Sequence, residues 1–133
     1  HPVSAAAGLA VLRILEREDL VDKVAQTGRF LGTLLHDALD KNPHVGDVRG
    51  IGFLWGVELV KDKDSLKPFA RNDHVAERVW QAAFKRGIAV YSATGLAGSD
   101  GDAFLVAPPF IATEEDLAVA VEKISAAVQE ILG

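Results

Sequence analysis

The 133-residue sequence has no cysteine, no methionine, one tyrosine and two tryptophans. Without cysteine there is no disulfide, no thiolate zinc centre and no thiol nucleophile. Basic residues are outnumbered: 14 Lys and Arg against 19 Asp and Glu leave a net charge of −5. A chain so balanced lacks the basic face that a phosphate backbone needs, which argues against nucleic-acid binding. No apolar run approaches the roughly 20 residues of a membrane helix, so no membrane span is expected. Translation starts with methionine, yet this sequence opens with His1-Pro2 and contains none. The expectation is an excerpt, or a processed product, of a longer protein whose N-terminal part is missing. No charged segment followed by an apolar one resembles a signal peptide, and a cytoplasmic setting is expected. What is present is 49% hydrophobic and 25% charged, the mix of an ordinary core of one-domain length.

Periodicity organises the chain. Pro2–Glu16 reads as a helix whose Ala5–Ala10 stretch is nearly side-chain-free, suited to close packing on a missing domain or a second subunit. Asp19 is placed to cap a second helix carrying Leu20, Val24, Leu31, Leu35 and Leu39, ending near Lys41 before Asn42-Pro43. Phe53, Trp55, Val57 and Leu59 alternate as one strand face. Gly46, Gly50, Gly52 and Gly56 suggest a bend or bulge between two strand segments. Lys61–Pro68 reads as a charged loop. Asn72 or Asp73 is placed to cap a third helix, with Val75, Val79, Ala82 and Ala83 buried and Gly87 closing it. Ile88–Ser92 reads as a strand, Thr94–Asp102 as a Gly-rich turn, and Ala103–Ala107 as a strand ended by Pro108-Pro109. Thr113 and Asp116 form a capping box before Leu117, Val121, Ile124, Val128 and Ile131. The order predicts an α+β domain with a small antiparallel sheet of three to four strands covered by helices.

No complete catalytic constellation emerges from these residues. His1, His36, His44 and His74 lie at no metal-ligand spacing. Gly95–Asp102 lacks the Lys and Ser/Thr of a P-loop and the terminal Glu of an EF-hand, and reads as a plain inter-strand loop that can rim a pocket. No serine has the context of a hydrolase nucleophile, and Glu114-Glu115 suit a helix first turn. Arg49, in an apolar stretch, requires an anionic partner: either Asp47 or Glu58 in an ion pair, or a substrate carboxylate.

Four landmarks, in order along the chain, resemble the class III, pyridoxal-phosphate-dependent aminotransferases. His1-Pro2 and its Ala/Gly-rich helix are similar to the G-H-P segment that opens that family's C-terminal small domain. Asp47-Val48-Arg49-Gly50-Ile51-Gly52-Phe53 with Gly56-Val57-Glu58-Leu59 is similar to its D-V-R-G-x-G-L strand region. Gly87 with the strand after it is the third. Ala107-Pro108-Pro109-Phe110 followed by Thr113-Glu114-Glu115-Asp116 is similar to its A-P-P-L and T-x-E-E elements.

The resemblance implies the small domain of a fold type I enzyme. The large domain, with the Schiff-base lysine and most cofactor contacts, lies outside residues 1–133, as does the threonine that reaches the partner subunit's cofactor. Lys61, Lys63 and Lys67 match no Schiff-base context. The implied parent is a homodimer that uses pyridoxal 5'-phosphate to move an amino group from a small amine or amino acid to a keto acid. The fragment alone is expected to bind no cofactor, to hold no catalytic residue and to be inactive. Members acting on α-amino acids often carry Arg three residues before the Pro-Pro pair, where this chain has Leu105, and Ser92–Asp102 contains no Arg in its place. The candidate substrate-binding residues are therefore Leu105 and Arg49, and the parent resembles the amine or ω-amino acid group. The alternatives are a non-enzymatic α+β binding or regulatory module, or another fold type I enzyme such as an aminomutase or decarboxylase.

Overall fold

A computed structural model describes residues His1–Gly133. The elements are α1 (Pro2–Arg17), α2 (Leu20–Leu39), β1 (Val45–Ile51), β2 (Leu54–Asp62), β3 (Lys67–Pro68), a 3-10 turn at Arg71–Asp73, α3 (Val75–Lys85), β4 (Tyr91–Ala97), β5 (Asp100–Val106) and α4 (Glu114–Leu132). This is the expected order, with two short additions. All strand pairs are antiparallel, in the order β1-β2-β5-β4, with β3 beside β2. No helix is long and apolar enough to cross a membrane.

Alternation along the strands gives the sheet two unlike faces. Val48, Val57, Leu59, Phe104 and Val106 point into one buried cluster with Leu31, Leu35 and Leu39 of α2, Val79 of α3 and Leu117, Val121 and Ile124 of α4. Burying each such side chain contributes about 1.5–3 kcal/mol, and the cluster closes within the chain, so residues 1–133 carry their own core. The opposite face leaves apolar side chains in solvent: Ile51 is 84% exposed, Leu54 56% and Tyr91 70%. α1 has no buried residue, and Val3, Leu9, Val11 and Leu12 are each more than half exposed. The chain itself leaves this helix uncovered, as its expected packing on a missing domain or second subunit requires.

α2 sits on the tip of the β1–β2 hairpin. A side chain at Gly28 would collide with the Gly52 backbone, and one at Gly32 with the Trp55 ring. The hairpin turns through two residues, Gly52 at φ +56° and the buried Phe53. Glycine first in a two-residue loop supplies the positive φ such a turn demands. A bend or bulge was expected among the glycines of this region; they make a tight hairpin at Gly52-Phe53 and one register shift at Gly46, between Val45 and Asp47.

Several boundaries differ from expectation, each for a local reason. Asp19 adopts a left-handed conformation (φ 51°) and caps α2 with no side-chain bond; only its carbonyl accepts, from Lys23 N. α2 stops at Leu39. Ends of the Lys61–Pro68 loop join strands, and Asp62 Oδ1 holds the remaining turn by accepting from the Ser65 amide at 2.8 Å. The Gly-rich segment is mostly strand: β4 begins at Tyr91 and pairs with β5 as far as Ala97↔Asp100, leaving a turn at Gly98-Ser99. Positive φ at Gly95, Gly98 and Gly101 lets the ladder shift register there instead of opening into a loop. The Thr113–Asp116 capping box of α4 is formed as expected, and Gly87 follows α3 at φ +80°.

α3 is capped from a distance. Neither Asn72 nor Asp73 bonds its first turn, and the cap position is His74 in a left-handed conformation. The acceptor is Asp102 of β5, only 1% exposed, whose Oδ1 takes the Ala76 amide proton at 3.1 Å. This bond ties a central strand to the helix that covers it. Asp102 Oδ2 and Glu77 Oε2 are buried without a donor. Burial pushes the Asp102 carboxyl above its ordinary range, the Ala76 amide opposes that, and the Glu77 charge adds to it. A carboxyl raised in the folded state contributes stability that is lost as pH rises through its folded pKa. Asp102→Ala, which strands the Ala76 amide, should cost about 1–2 kcal/mol in urea unfolding. Asp102→Asn keeps the acceptor without the charge, and should gain on the parent chain as pH rises from about 4 to neutrality.

Candidate functional site

Strand register places the two substrate-binding candidates in one row across the sheet. Arg49 of β1 pairs with Gly56 of β2, Gly56 with Leu105 of β5, and Leu105 with Tyr91 of β4. All four lie on the face that no buried cluster covers. Leu105 is half-buried between its neighbours, whereas Tyr91 stands in solvent. The row reads cation, gap, aliphatic, phenol.

Arg49 is already engaged. Its Nη1 donates to Asp47 Oδ2 at 2.7 Å and to Glu58 Oε2 at 3.1 Å. These two bonds, Asp47 first, push the guanidinium above its ordinary pKa and hold it charged. The ion pair anticipated for Arg49 is present, with both anticipated partners. Its exposed setting screens the attraction, so the triad orients the side chain more than it stabilises the fold.

Two clefts adjoin the sheet. The larger, about 1000 Å³, lies between α2 and the β1–β2 hairpin and is lined by Gly28, Arg29, His36, Ile51, Trp55 and Phe110 among others. Trp55 Nε1 donates to Gly52 O at 2.8 Å, and His36 meets the indole edge-on at 5.9 Å between centroids while its Nδ1 lies 3.0 Å from Asp40 Oδ2. The second, about 660 Å³, lies below Pro108-Pro109 and the start of α4 and is mostly apolar. No lysine lines either cleft. No group of three or more His, Asp or Glu is placed to hold a metal. His44 lies 3.1 Å from the Val60 carbonyl, and His74 belongs to the Arg71–Glu77 ion-pair cluster beside α3. Tyr91 and Gly56 were not legible as site residues, because their place beside Leu105 depends on register between strands far apart in sequence.

Comparison with known proteins agrees with this architecture. The aminotransferase class-III family matches residues 1–128. An aminotransferase of Gibberella zeae is 40% identical over 135 aligned residues, covering 100% of this chain and 26% of the relative. A transaminase of the marine bacterium Virgibacillus superposes with a TM-score of 0.91 at 31% identity, covering 99% of this chain and 29% of that one. An amine transaminase from an uncultivated Pseudomonas species, solved in a PLP-bound form, superposes with a TM-score of 0.86 at 30% identity, covering 98% of this chain and 28% of that one. The chain therefore spans between a quarter and a third of the length of these relatives. Its helix–sheet architecture is that of a transaminase small domain, and the chain belongs to the class-III aminotransferase family.

Proposed function

We propose that residues 1–133 are the C-terminal small domain of a pyridoxal-phosphate-dependent transaminase, and that the whole protein transfers an amino group from an amine or amino acid to a keto acid. The observation that carries this reading is the family match over 1–128 together with a TM-score of 0.91 to a transaminase. On this reading the cofactor is held elsewhere in the protein. The residues present do not fit it: neither cleft offers a lysine, and the guanidinium of Arg49 is occupied by two carboxylates. The domain's part is to wall the pocket with its open sheet face and to hold the parent together. α1, apolar and uncovered, meets the large domain or the second subunit of a dimer.

Leu105 is the specificity position in this account. An aliphatic side chain on the open face cannot offset the desolvation of a carboxylate, and a missing charge-assisted pair costs about 2–5 kcal/mol. Arg49, two strands away and pinned by Asp47 and Glu58, forms part of the wall. The parent should favour amines without an α-carboxylate, or at least accept them equally well.

Two measurements test these statements. Full-length protein with pyridoxal phosphate should show the visible band of a lysine-bound cofactor, bleached by a donor amine and restored by a keto acid, whereas the 133-residue chain should show no saturable band. A stoichiometric band from the fragment would overturn the division of labour, and an inert full-length protein would overturn the transaminase reading. Leu105→Arg in the full-length protein should shift kcat/KM toward an α-carboxylated donor by about tenfold or more relative to the matched amine, about 1.4 kcal/mol per tenfold. A parent that already prefers the α-amino acid, and does not respond to the arginine, would place carboxylate recognition outside Leu105.

A further inference from the structure

Asp102 is the one charged side chain in the buried core, and the transaminase reading gives it no task. Three hydrogen bonds hang the segment between β3 and α3 on its strand. Gly101 N donates to Phe69 O at 3.3 Å, Arg71 N to Asp100 Oδ1 at 3.1 Å, and Ala76 N to Asp102 Oδ1 at 3.1 Å. Between the last two bonds lies His74, left-handed at φ 50°, a conformation that persists only where the surroundings hold it. Two of the three acceptors are carboxylates, so the charge on β5 enters the attachment. Asp102 Oδ2 and Glu77 Oε2 are both buried, and neither receives a donor. Glu77 spends its other oxygen on Arg71 Nη2. An ionised Asp102 therefore adds a second negative charge to a dry spot whose cation, Arg71, is already paired. A protonated Asp102 still accepts from Ala76 and carries no charge to desolvate.

Few other groups face Asp102. Glu77, Arg71 and Asp73 act on it through space, His74 lies beside Glu77, and Asp100 is two residues away on the same strand. Its cross-strand partners, Leu59 of β2 and Thr94 of β4, do not titrate, and Lys67 of β3 stands opposite Asp62. We propose that Asp102 is a proton-operated latch: protonated, it holds Arg71–Glu77 closed on β5, and ionised, it favours local opening of that segment while the rest of the core stays folded. The sign follows from linkage. Burial first, then the charges of Glu77 and Asp73, raise the Asp102 carboxyl against the pull of the Ala76 amide and Arg71. A carboxyl so raised stabilises the closed form below its ordinary pKa of about 4, and that contribution is lost as pH rises through the folded value. Glu77 is held below its ordinary value by Arg71, so it stays ionised across the same interval and does not reverse the effect. The segment is built to open locally: Asn72, Asp73 and His74 are exposed, and the bonds to β5 are its attachment to the sheet.

The latch needs nothing outside residues 1–133, which close their own core, so its test reads this chain and no activity. Hydrogen exchange is measured at about pH 4.5 and about pH 7.5 and corrected for intrinsic rates. Relative to Val121–Val128 of α4, protection of the Ala76 and Glu77 amides should be lower at the higher pH by about threefold or more. Asp102→Asn keeps an acceptor for Ala76 without the charge, and should flatten the difference. Histidine is the other side chain that titrates in this interval, and His74→Asn, which suits a left-handed position, should leave the difference in place. NMR of the unaltered chain gives a second reading that no variant can confound: the Asp102 carboxyl carbon should titrate above about 4, and the Ala76 amide should follow it. Equal protection at both pH values overturns the latch. So does a pH effect that survives Asp102→Asn or vanishes with His74→Asn, and so does an Asp102 carboxyl that titrates at or below its ordinary value.

Discussion

The constraint on which the rest depends is that the β1-β2-β5-β4 sheet is covered on one side only within this chain. α2, α3 and α4 supply apolar faces to Val48, Val57, Leu59, Phe104 and Val106, and the core they make closes within the chain. The alternation that builds that core necessarily turns Arg49, Leu54, Gly56, Leu105 and Tyr91 the other way. Shifting the register of any one strand by a residue would exchange the two sets. The row on the open face is therefore fixed by the same packing that stabilises the domain.

Two local arrangements keep the register in place. At one edge, glycines 28 and 32 let α2 descend onto the hairpin tip, where Trp55 closes over Gly32 and bonds the Gly52 carbonyl. In the central strands, Asp102 reaches from β5 to the first turn of α3. The second is the costlier: one oxygen of a carboxylate that is 1% exposed finds no donor, and the pair of buried orphan oxygens on Asp102 and Glu77 sits against a helix N-terminus. The helix dipole and the Ala76 amide favour the charge while burial opposes it. What the bond provides is a fixed relation between α3 and the strand that carries Leu105.

Much of this was legible in the sequence, and the rest was hidden for physical reasons. The four long helices and the alternation of Trp55, Val57 and Leu59 show because a 3.6- or 2-residue period is a local property, although Phe53, expected on the same strand face, lies in the hairpin turn; the Thr113–Asp116 cap shows because its partners are three residues apart. The uncovered state of α1 followed from its small residues. Asp19 does stand at the cap of α2, though without a side-chain bond, whereas the caps expected at Asn72 or Asp73 misled because a good capping side chain competes with the geometry of the chain entering the helix, and for α3 a residue 26 positions later provides the acceptor. The Gly95–Asp102 stretch read as a loop since glycine and polar residues are poor strand formers; pairing with β5 overrides that preference. Arg49 could be narrowed to an ion pair or a clamp from its neighbours alone, but only the register of β1 against β2 shows that both carboxylates reach it. Tyr91 carried no local signal, and Gly56 was read only as one glycine of an expected bend or bulge.

The account makes the open sheet face and α1 surfaces that are buried in the whole protein. Hydroxyl-radical footprinting of the 133-residue chain and of the full-length protein compares the two directly, side chain by side chain. Tyr91, Leu54, Ile51 and the Val3–Leu12 stretch of α1 should label readily in the short chain and be strongly protected in the full-length protein, while Trp80 and Phe84, exposed on the outer side of α3, should label alike in both. Equal labelling of Tyr91 and Leu54 in the two proteins would contradict the claim that this face exists to be covered.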